Sequence, residues 1–212
     1  MLDWSLAAVR SVATGVVLVE PPEGLATPPA QAEQAEQAEQ AADFVTVGGS
    51  TRSESVRAGL ARVPQSAQIV VVHDAARPLA SPELFRAVVE RVLAGAAGAV
   101  PGIPITDTLK RIEQGRVAGT LDRRDLVAVQ TPQAFEASAL RRAHATLGGA
   151  TDDAALVEAL ELVVAVVPGE PANLKITRPF DLELAELLVT LRAEALPGSP
   201  RTGSWHSPQA LV

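Results

Sequence analysis

Ile69-Val70-Val71-Val72-His73-Asp74-Ala75-Ala76-Arg77-Pro78 decides the fold class of this 212-residue chain. A continuous β-branched run this short reads as a strand buried on both faces. It ends in the polar group His73-Asp74, and Ser81-Pro82-Glu83 then opens a helix with an N-cap serine and a proline in its first turn. Working outward, the same strand, polar turn and helix recur. Helices are expected over 2–12, 53–62, 81–93, 138–147, 153–160 and 180–193, and strands over 16–19, 44–47, 69–73, from 98, and over 163–167. This alternation predicts an α/β fold with a mostly parallel sheet covered by helices on both faces. In such sheets ligands bind beyond the carboxyl ends of the strands. The clusters 48–52, 73–77 and 107–110 each follow a strand and are expected to converge there.

Residues 109–129 have the polar and branched look of an extended hairpin arm. Residues 30–42 repeat Ala-Glu-Gln three times and read as an exposed, low-complexity insertion without chemistry. The Pro-, Gly- and Ser-rich stretch from Pro197 is expected to be a disordered tail, which puts one domain at 1–195. Aromatic residues are only 3% of the chain, so Val, Leu, Ile and Ala are expected to build the core.

The net charge of −7 argues against a general nucleic-acid binder. It leaves room for a phosphorylated ligand, which needs only a few well-placed cations. With no cysteine there is neither a disulfide framework nor a thiolate metal site. No apolar run reaches the roughly 20 residues that span a bilayer. Asp3 and Glu20-Pro21-Pro22 spoil a signal-peptide reading of 11–19, so a cytoplasmic location is expected.

Gly48-Gly49-Ser50-Thr51-Arg52 joins a strand to a helix. Such a loop either brings backbone N–H groups to an anion or makes an ordinary tight turn. Asp74 three residues before Arg77 suits a divalent cation or sugar hydroxyl beside a phosphate-binding arginine, and equally an ion pair that fixes the turn. His73 reads as a packed, hydrogen-bonded residue rather than a base. Thr151-Asp152-Asp153-Ala154 is adequately explained by helix capping. Lys175, on a short extended segment, is a plausible charge for a phosphate or a solvated surface residue.

The order of these pieces is more specific than any one of them. Gly48-Gly49 with Arg52 and Ser55, then HDAARP at 73–78, TDTLKR at 106–111, QTPQ at 130–133, TDDA at 151–154 and NLKITRP at 173–179, resembles the 2-C-methyl-D-erythritol 4-phosphate cytidylyltransferases. The resemblance runs from the first helix to about Arg192, the insertion excepted. It implies a Rossmann-like nucleotidyltransferase fold, CTP and a polyol phosphate as substrates, magnesium, and a homodimer in which the 109–129 arm reaches the partner. By matching motif positions it implies that Gly49, Arg52 and Ser55 recognise the nucleotide. Asp74 and Arg77 would line the centre, Asp74 also as a magnesium contact. Thr108, Arg123, Thr131 and Lys175 would bind the sugar phosphate, with Arg123 and Lys175 positioning it for attack on the α-phosphorus.

Members of that family open with a strand, a glycine-rich loop bearing a basic residue, and a lysine after a proline. Here 1–6 matches the helix that follows that segment, so the segment is expected to be lacking. Three readings are open: a cytidylyltransferase whose record starts late, a non-catalytic relative that dimerises or binds sugar phosphate, and a cytidylyltransferase for another polyol phosphate such as ribitol 5-phosphate.

Overall fold

The computed structural model describes residues 2–21, 42–146 and 152–194. The Ala-Glu-Gln stretch, Thr151 and the tail therefore lie outside the described residues. In chain order the elements are α1 (Leu2–Arg10), β1 (Val17–Glu20), β2 (Phe44–Val47), α2 (Arg52–Arg62), β3 (Ile69–Val72), α3 (Pro82–Leu93) and β4 (Gly98–Pro104). There follow β5 (Lys110–Glu113), β6 (Arg116–Thr120), β7 (Val127–Val129), β8 (Gln133–Glu136), α4 (Ala137–Thr146), α5 (Asp153–Glu158), β9 (Val164–Pro168) and α6 (Pro179–Glu194). Two compact units result, residues 1–175 and residues 176–212.

In the first unit, β3, β8, β4 and β7 lie side by side, and β9 also pairs with β4. β4 and β9 are parallel, whereas β8 runs antiparallel to both β3 and β4, and β7 antiparallel to β4. β3, β4 and β9 thus share the direction expected of a strand–helix repeat, and β8 makes the sheet mixed. β1 and β2 form a separate parallel pair. Two helices cover both sheets. Leu6 and Val9 of α1 pack with Val16 and Leu18, and Val9 also packs in the cluster that holds Val71 and Phe85. On the other face Gly59 of α2 lies against Val19, and Leu60 belongs to the cluster against which Val70 and Val72 pack. The alternation of Val70, Val71 and Val72 between these clusters is the period-two pattern of a strand.

Helix starts follow the local chemistry. Thr51 and Glu54 form a reciprocal capping box on α2, and the Ser81 hydroxyl accepts from Leu84 N–H at the start of α3. Aliphatic residues dominate the core as expected, but Phe85 and Phe135 are among its largest fully buried side chains. Each such side chain contributes about 1.5–3 kcal/mol by leaving water.

The arm is shorter than 109–129. Only β5 and β6 form its hairpin, turning at Gln114 and Gly115, both at positive φ. Val127–Val129 returns to the main sheet as β7. In the second unit, Asp181 of α6 accepts from the N–H groups of Thr177 and Arg178 and from the Thr177 hydroxyl, which fixes the chain ahead of the helix.

Gly98 marks the tightest point of the β4–β8–β9 packing. A Cβ there would lie 2.7 and 2.9 Å from the Phe135 ring and 3.3 Å from Val164 Cγ2. Gly98→Ala should therefore destabilise the first unit by about 1–3 kcal/mol through overpacking, read as a lower urea midpoint. An unchanged midpoint would show that Phe135 has room to move.

Candidate active site around Asp74

Asp74 follows β3 directly and gathers side chains from three other segments. Its Oδ2 accepts from Lys175 Nζ at 2.8 Å, and its Oδ1 from Arg52 Nε at 3.4 Å. Its backbone N–H donates to Thr131 Oγ1 at 3.0 Å. Burial works to raise the Asp74 pKa, but the hydrogen bond from Lys175 and the charges of Arg52, Lys175 and Arg77 more than offset it, and the net shift is downward. The carboxylate is held ionised between cations.

Arg52 is the first residue of α2, and its Nη1 donates to Asp153 Oδ2 at 2.7 Å. Asp153 is fully buried at the start of α5, and its Oδ1 lies 2.9 Å from Nε2 of the buried His144 on α4. His144, Asp153, Arg52, Asp74 and Lys175 thus form one continuous chain of hydrogen bonds. Burial works to lower the Arg52 pKa, and the charge of Asp153 leads the effects that raise it above its ordinary value.

Gly48 and Gly49 are needed for close packing. A Cβ on Gly48 would meet Ser55 Oγ at 2.5 Å, and one on Gly49 would meet Glu54 Cβ at 2.2 Å. Gly49 N–H donates to Ser55 Oγ at 3.2 Å, so that donor is used within the loop. Ser55 in turn donates to Thr51 C=O at 3.1 Å.

Arg77 Nη1 donates to Asn173 C=O at 2.8 Å, while its buried Nε has no partner among the described residues. Thr131 is buried and its hydroxyl is committed. The oxygen accepts from Asp74 N–H, and His73 Nδ1 lies 3.2 Å away. In this structure Thr131 holds the Asp74 backbone.

Thr108 and Arg123 are exposed, and among the described residues neither side chain has a hydrogen bond or ion pair to this network. The cluster at 107–110, expected to converge with the others, leaves with the arm, where Lys110 Nζ donates to Thr120 Oγ1 at 2.6 Å.

A buried amide network that the motif reading left without roles supports the site. Gln130 Nε2 donates to Glu170 C=O at 2.9 Å and to Asn173 C=O at 3.0 Å, and its Oε1 accepts from Glu170 N–H at 3.1 Å. Asn173, fully buried, donates through Nδ2 to Thr131 C=O at 2.8 Å. The Ser81 hydroxyl donates to Glu170 as well. Gln130 and Asn173 stand inside QTPQ and NLKITRP, where a buried amide was the available signal. Glu170 stands in no motif and had none.

Asp74 is the carboxylate of the network that is open to solvent, 17% exposed against 1% for Asp153. No group of three or more His, Cys, Asp or Glu among the described residues is placed to hold a metal ion. Asp74 alone would offer a divalent cation one protein carboxylate, so its other ligands would have to be water or a bound phosphate.

His73 is structural. Its Nε2 lies 3.2 Å from Arg77 C=O, and its ring centroid is 4.9 Å from that of Phe85. A neutral ring that donates through Nε2 and accepts the Thr131 hydroxyl at Nδ1 satisfies every group at once. Burial, opposed by the Arg77 carbonyl and Asp74, pushes its pKa down to about 4 from 6.5. The unfolded chain therefore binds the extra proton between these values, and stability should fall as pH drops from 6.5 towards 4, by up to about 3 kcal/mol. Urea midpoints across that range, in magnesium-free buffer, should fall less steeply for His73→Gln, and equal slopes would contradict the assignment.

The chain matches the family profile described as IspD, 2-C-methyl-D-erythritol 4-phosphate cytidylyltransferase, over residues 2–191. It is 44% identical over 197 residues to the Streptomyces coelicolor protein of that name, covering 89% of this chain and 72% of that one. It is 45% identical over 208 residues to a bifunctional enzyme IspD/IspF of Clavibacter michiganensis, 96% of this chain but 51% of that protein. In structure it resembles the 2-C-methyl-D-erythritol 4-phosphate cytidylyltransferase of Thermus thermophilus, with a TM-score of 0.76, 39% identity, and coverage of 89% of this chain and 88% of that one. The chain with Asp74 at its centre thus belongs to the IspD family, the cytidylyltransferases of 2-C-methyl-D-erythritol 4-phosphate, and its fold is their Rossmann-like nucleotidyltransferase fold.

Proposed function

We propose that this chain transfers CMP from CTP to 2-C-methyl-D-erythritol 4-phosphate, giving 4-diphosphocytidyl-2-C-methyl-D-erythritol and pyrophosphate in the non-mevalonate route to isoprenoid precursors. The observation that carries this reading is the alternation of Arg52, Asp74 and Lys175, with Arg77 beside them, at the carboxyl end of β3. Cations from separate segments there face one carboxylate.

The reaction asks for charge management. The nucleophile is a phosphate oxygen of the sugar phosphate, already ionised at neutral pH, so no general base is required. It forms a bond to the α-phosphorus of CTP while the bond to the β-phosphate oxygen breaks and pyrophosphate leaves. In this reading Gly49, Arg52 and Ser55 form the nucleotide end, with Arg52 supplying directed donors. Arg77 has a buried Nε without a partner among the described residues and meets a phosphate oxygen. Lys175, 43% exposed, swings from Asp74 to the sugar phosphate as a compact charge. Thr131 keeps Asp74 in place from behind. Asp74 would be the residue beside a magnesium ion, which when bound would offset part of the negative charge of the nucleotide phosphates.

Arg123 and Thr108 complete the sugar-phosphate end from the arm of a second copy. Support for a homodimer comes from the arm itself, where Ile112 and Val117 are each 64% exposed and Leu121 and Leu126 are also open. The substrates of this reading are cytoplasmic metabolites, so a cytoplasmic location goes with it. Among the described residues no helix is long and apolar enough to cross a membrane.

Pyrophosphate release from CTP, magnesium and 2-C-methyl-D-erythritol 4-phosphate tests the reading, for this chain and for a version with the family's glycine-rich opening segment fused ahead of it. Product from either form supports it, and no product from both overturns it. In the active form, Arg123→Ala and Lys175→Ala should each raise KM for the sugar phosphate about 10- to 100-fold, as expected for a lost charge-assisted hydrogen bond, with KM for CTP nearly unchanged. Equal effects on both substrates would sink the assignment. For the arm, sedimentation at micromolar concentration should give twice the chain mass, and Ile112→Lys with Val117→Lys should shift it to the monomer. A monomeric starting protein would refute the dimer.

A further inference from the structure

We propose that Asp153, anchored by His144, is the positioning residue that holds Arg52 ready for the nucleotide. The inference rests on the nucleotide-binding role proposed for Arg52 and goes beyond it. The sequence gives Asp153 an adequate role as an early residue of α5, but the structure assigns the capping to its neighbour. Asp152 Oδ1 accepts from Ala155 N–H at 3.0 Å, and Asp152 Oδ2 accepts from Gln133 Nε2 at 3.3 Å. Asp153 is left with both oxygens turned to side chains of other helices, Arg52 on α2 and His144 on α4.

A fully buried carboxylate is a poor stabiliser. Desolvating it and its partner offsets much of their attraction, and an apolar pair of similar volume often does as well. What such a pair does well is fix direction. Arginine has a long, rotamer-rich side chain and a planar fork of five donors, and the short bond from Nη1 to Asp153 sets the plane of that fork. Nε then meets Asp74 only at 3.4 Å, and Nη2 is buried without a partner among the described residues. An unpaired buried donor on a cation is costly to leave and is satisfied when an acceptor arrives. Without Asp153, Arg52 would turn both prongs onto Asp74, compete there with Lys175, and withdraw the free donor. His144 completes the arrangement, because its Nε2 occupies the Asp153 oxygen that Arg52 does not use.

Titration calorimetry with CTP and, separately, with 2-C-methyl-D-erythritol 4-phosphate tests this on the chain and its variants, with thermal melts alongside. Asp153→Asn should weaken CTP binding about tenfold or more, the scale of one charge-assisted hydrogen bond, and leave the sugar phosphate within about twofold. His144→Leu should weaken CTP binding in the same direction. His144→Gln, whose Nε2 can donate where the histidine Nε2 does, should restore it. This rescue separates positioning from bulk stability, since a structural role alone would lower the melting temperature without moving the ratio of the two affinities. CTP binding unchanged in Asp153→Asn, or His144→Gln as weak as His144→Leu, would overturn the proposal. Arg52→Ala keeps the two claims distinguishable. If it leaves CTP binding intact, the nucleotide role of Arg52 fails. If it weakens CTP binding while Asp153→Asn does not, the positioning inference alone fails.

Discussion

The site depends on one buried charge balance, that of Asp74 between Arg52 and Lys175. A carboxylate at the end of a strand, mostly desolvated, would drift towards its neutral form, and the cations around it prevent that. The dependence is mutual. Arg52, Arg77 and Lys175 come from different parts of the chain and would repel one another if gathered alone. Asp74 lets the empty site hold them together, and each ion pair can open when a phosphate offers the cation a stronger partner. Because Thr131 and His73 fix the backbone of Asp74 from the inner side, the carboxylate need not move when that exchange happens.

The segment after β9 shows how a loop can be held firmly without secondary structure. Lys175 sits on irregular chain, yet two residues earlier Asn173 is fully buried and bonded to Thr131 and Gln130. Gln130 uses both ends of its amide on Glu170 and Asn173. Most polar atoms of this network are paired, although the buried Asn173 Oδ1 has no partner among the described residues, and pairing to this degree favours one arrangement. Here the arrangement fixes where Lys175 leaves the protein surface, while its ammonium is paired with Asp74 at a position 43% exposed. A fixed backbone and an exposed charged tip suit a group that must bind a phosphate and release a product.

Much of this was legible in the sequence where local chemistry decides structure. Ser81-Pro82 placed α3, the run 69–72 placed β3, and the motif order alone gathered Arg52, Asp74, Arg77 and Lys175. The failures have physical causes. β8 was missed because Gln133-Ala134-Phe135-Glu136 is polar at both ends, and Gln133 is buried only because Gln130 C=O and Asp152 accept from it. β7 was lost inside the arm because Val127–Val129 alternates no differently from the exposed hairpin before it. β3 reads as a strand buried on both faces, yet all residues of β1 and β3 are only half-buried, and the two strands lie in separate sheets. Strand neighbours are non-local, and periodicity carries no record of them.

Net charge misleads about such a site, and its local count explains why. The chain carries −7 overall, but exposed charges beyond about 8–10 Å are largely screened at physiological salt. What a ligand meets is the set of three cations, Arg52, Arg77 and Lys175, against the carboxylates of Asp74 and Asp153. That surplus is small. A phosphomonoester alone brings about −1.5 to −2 charges at neutral pH, and a triphosphate brings more. The side chains of this cluster therefore offset only part of the charge that both substrates would bring. In the reading proposed for it, further positive charge would come from a divalent cation on the nucleotide phosphates and from Arg123 of a second copy. The exposed arm and the partly accessible carboxylate of Asp74, each unremarkable by itself, are placed where that reading would use them.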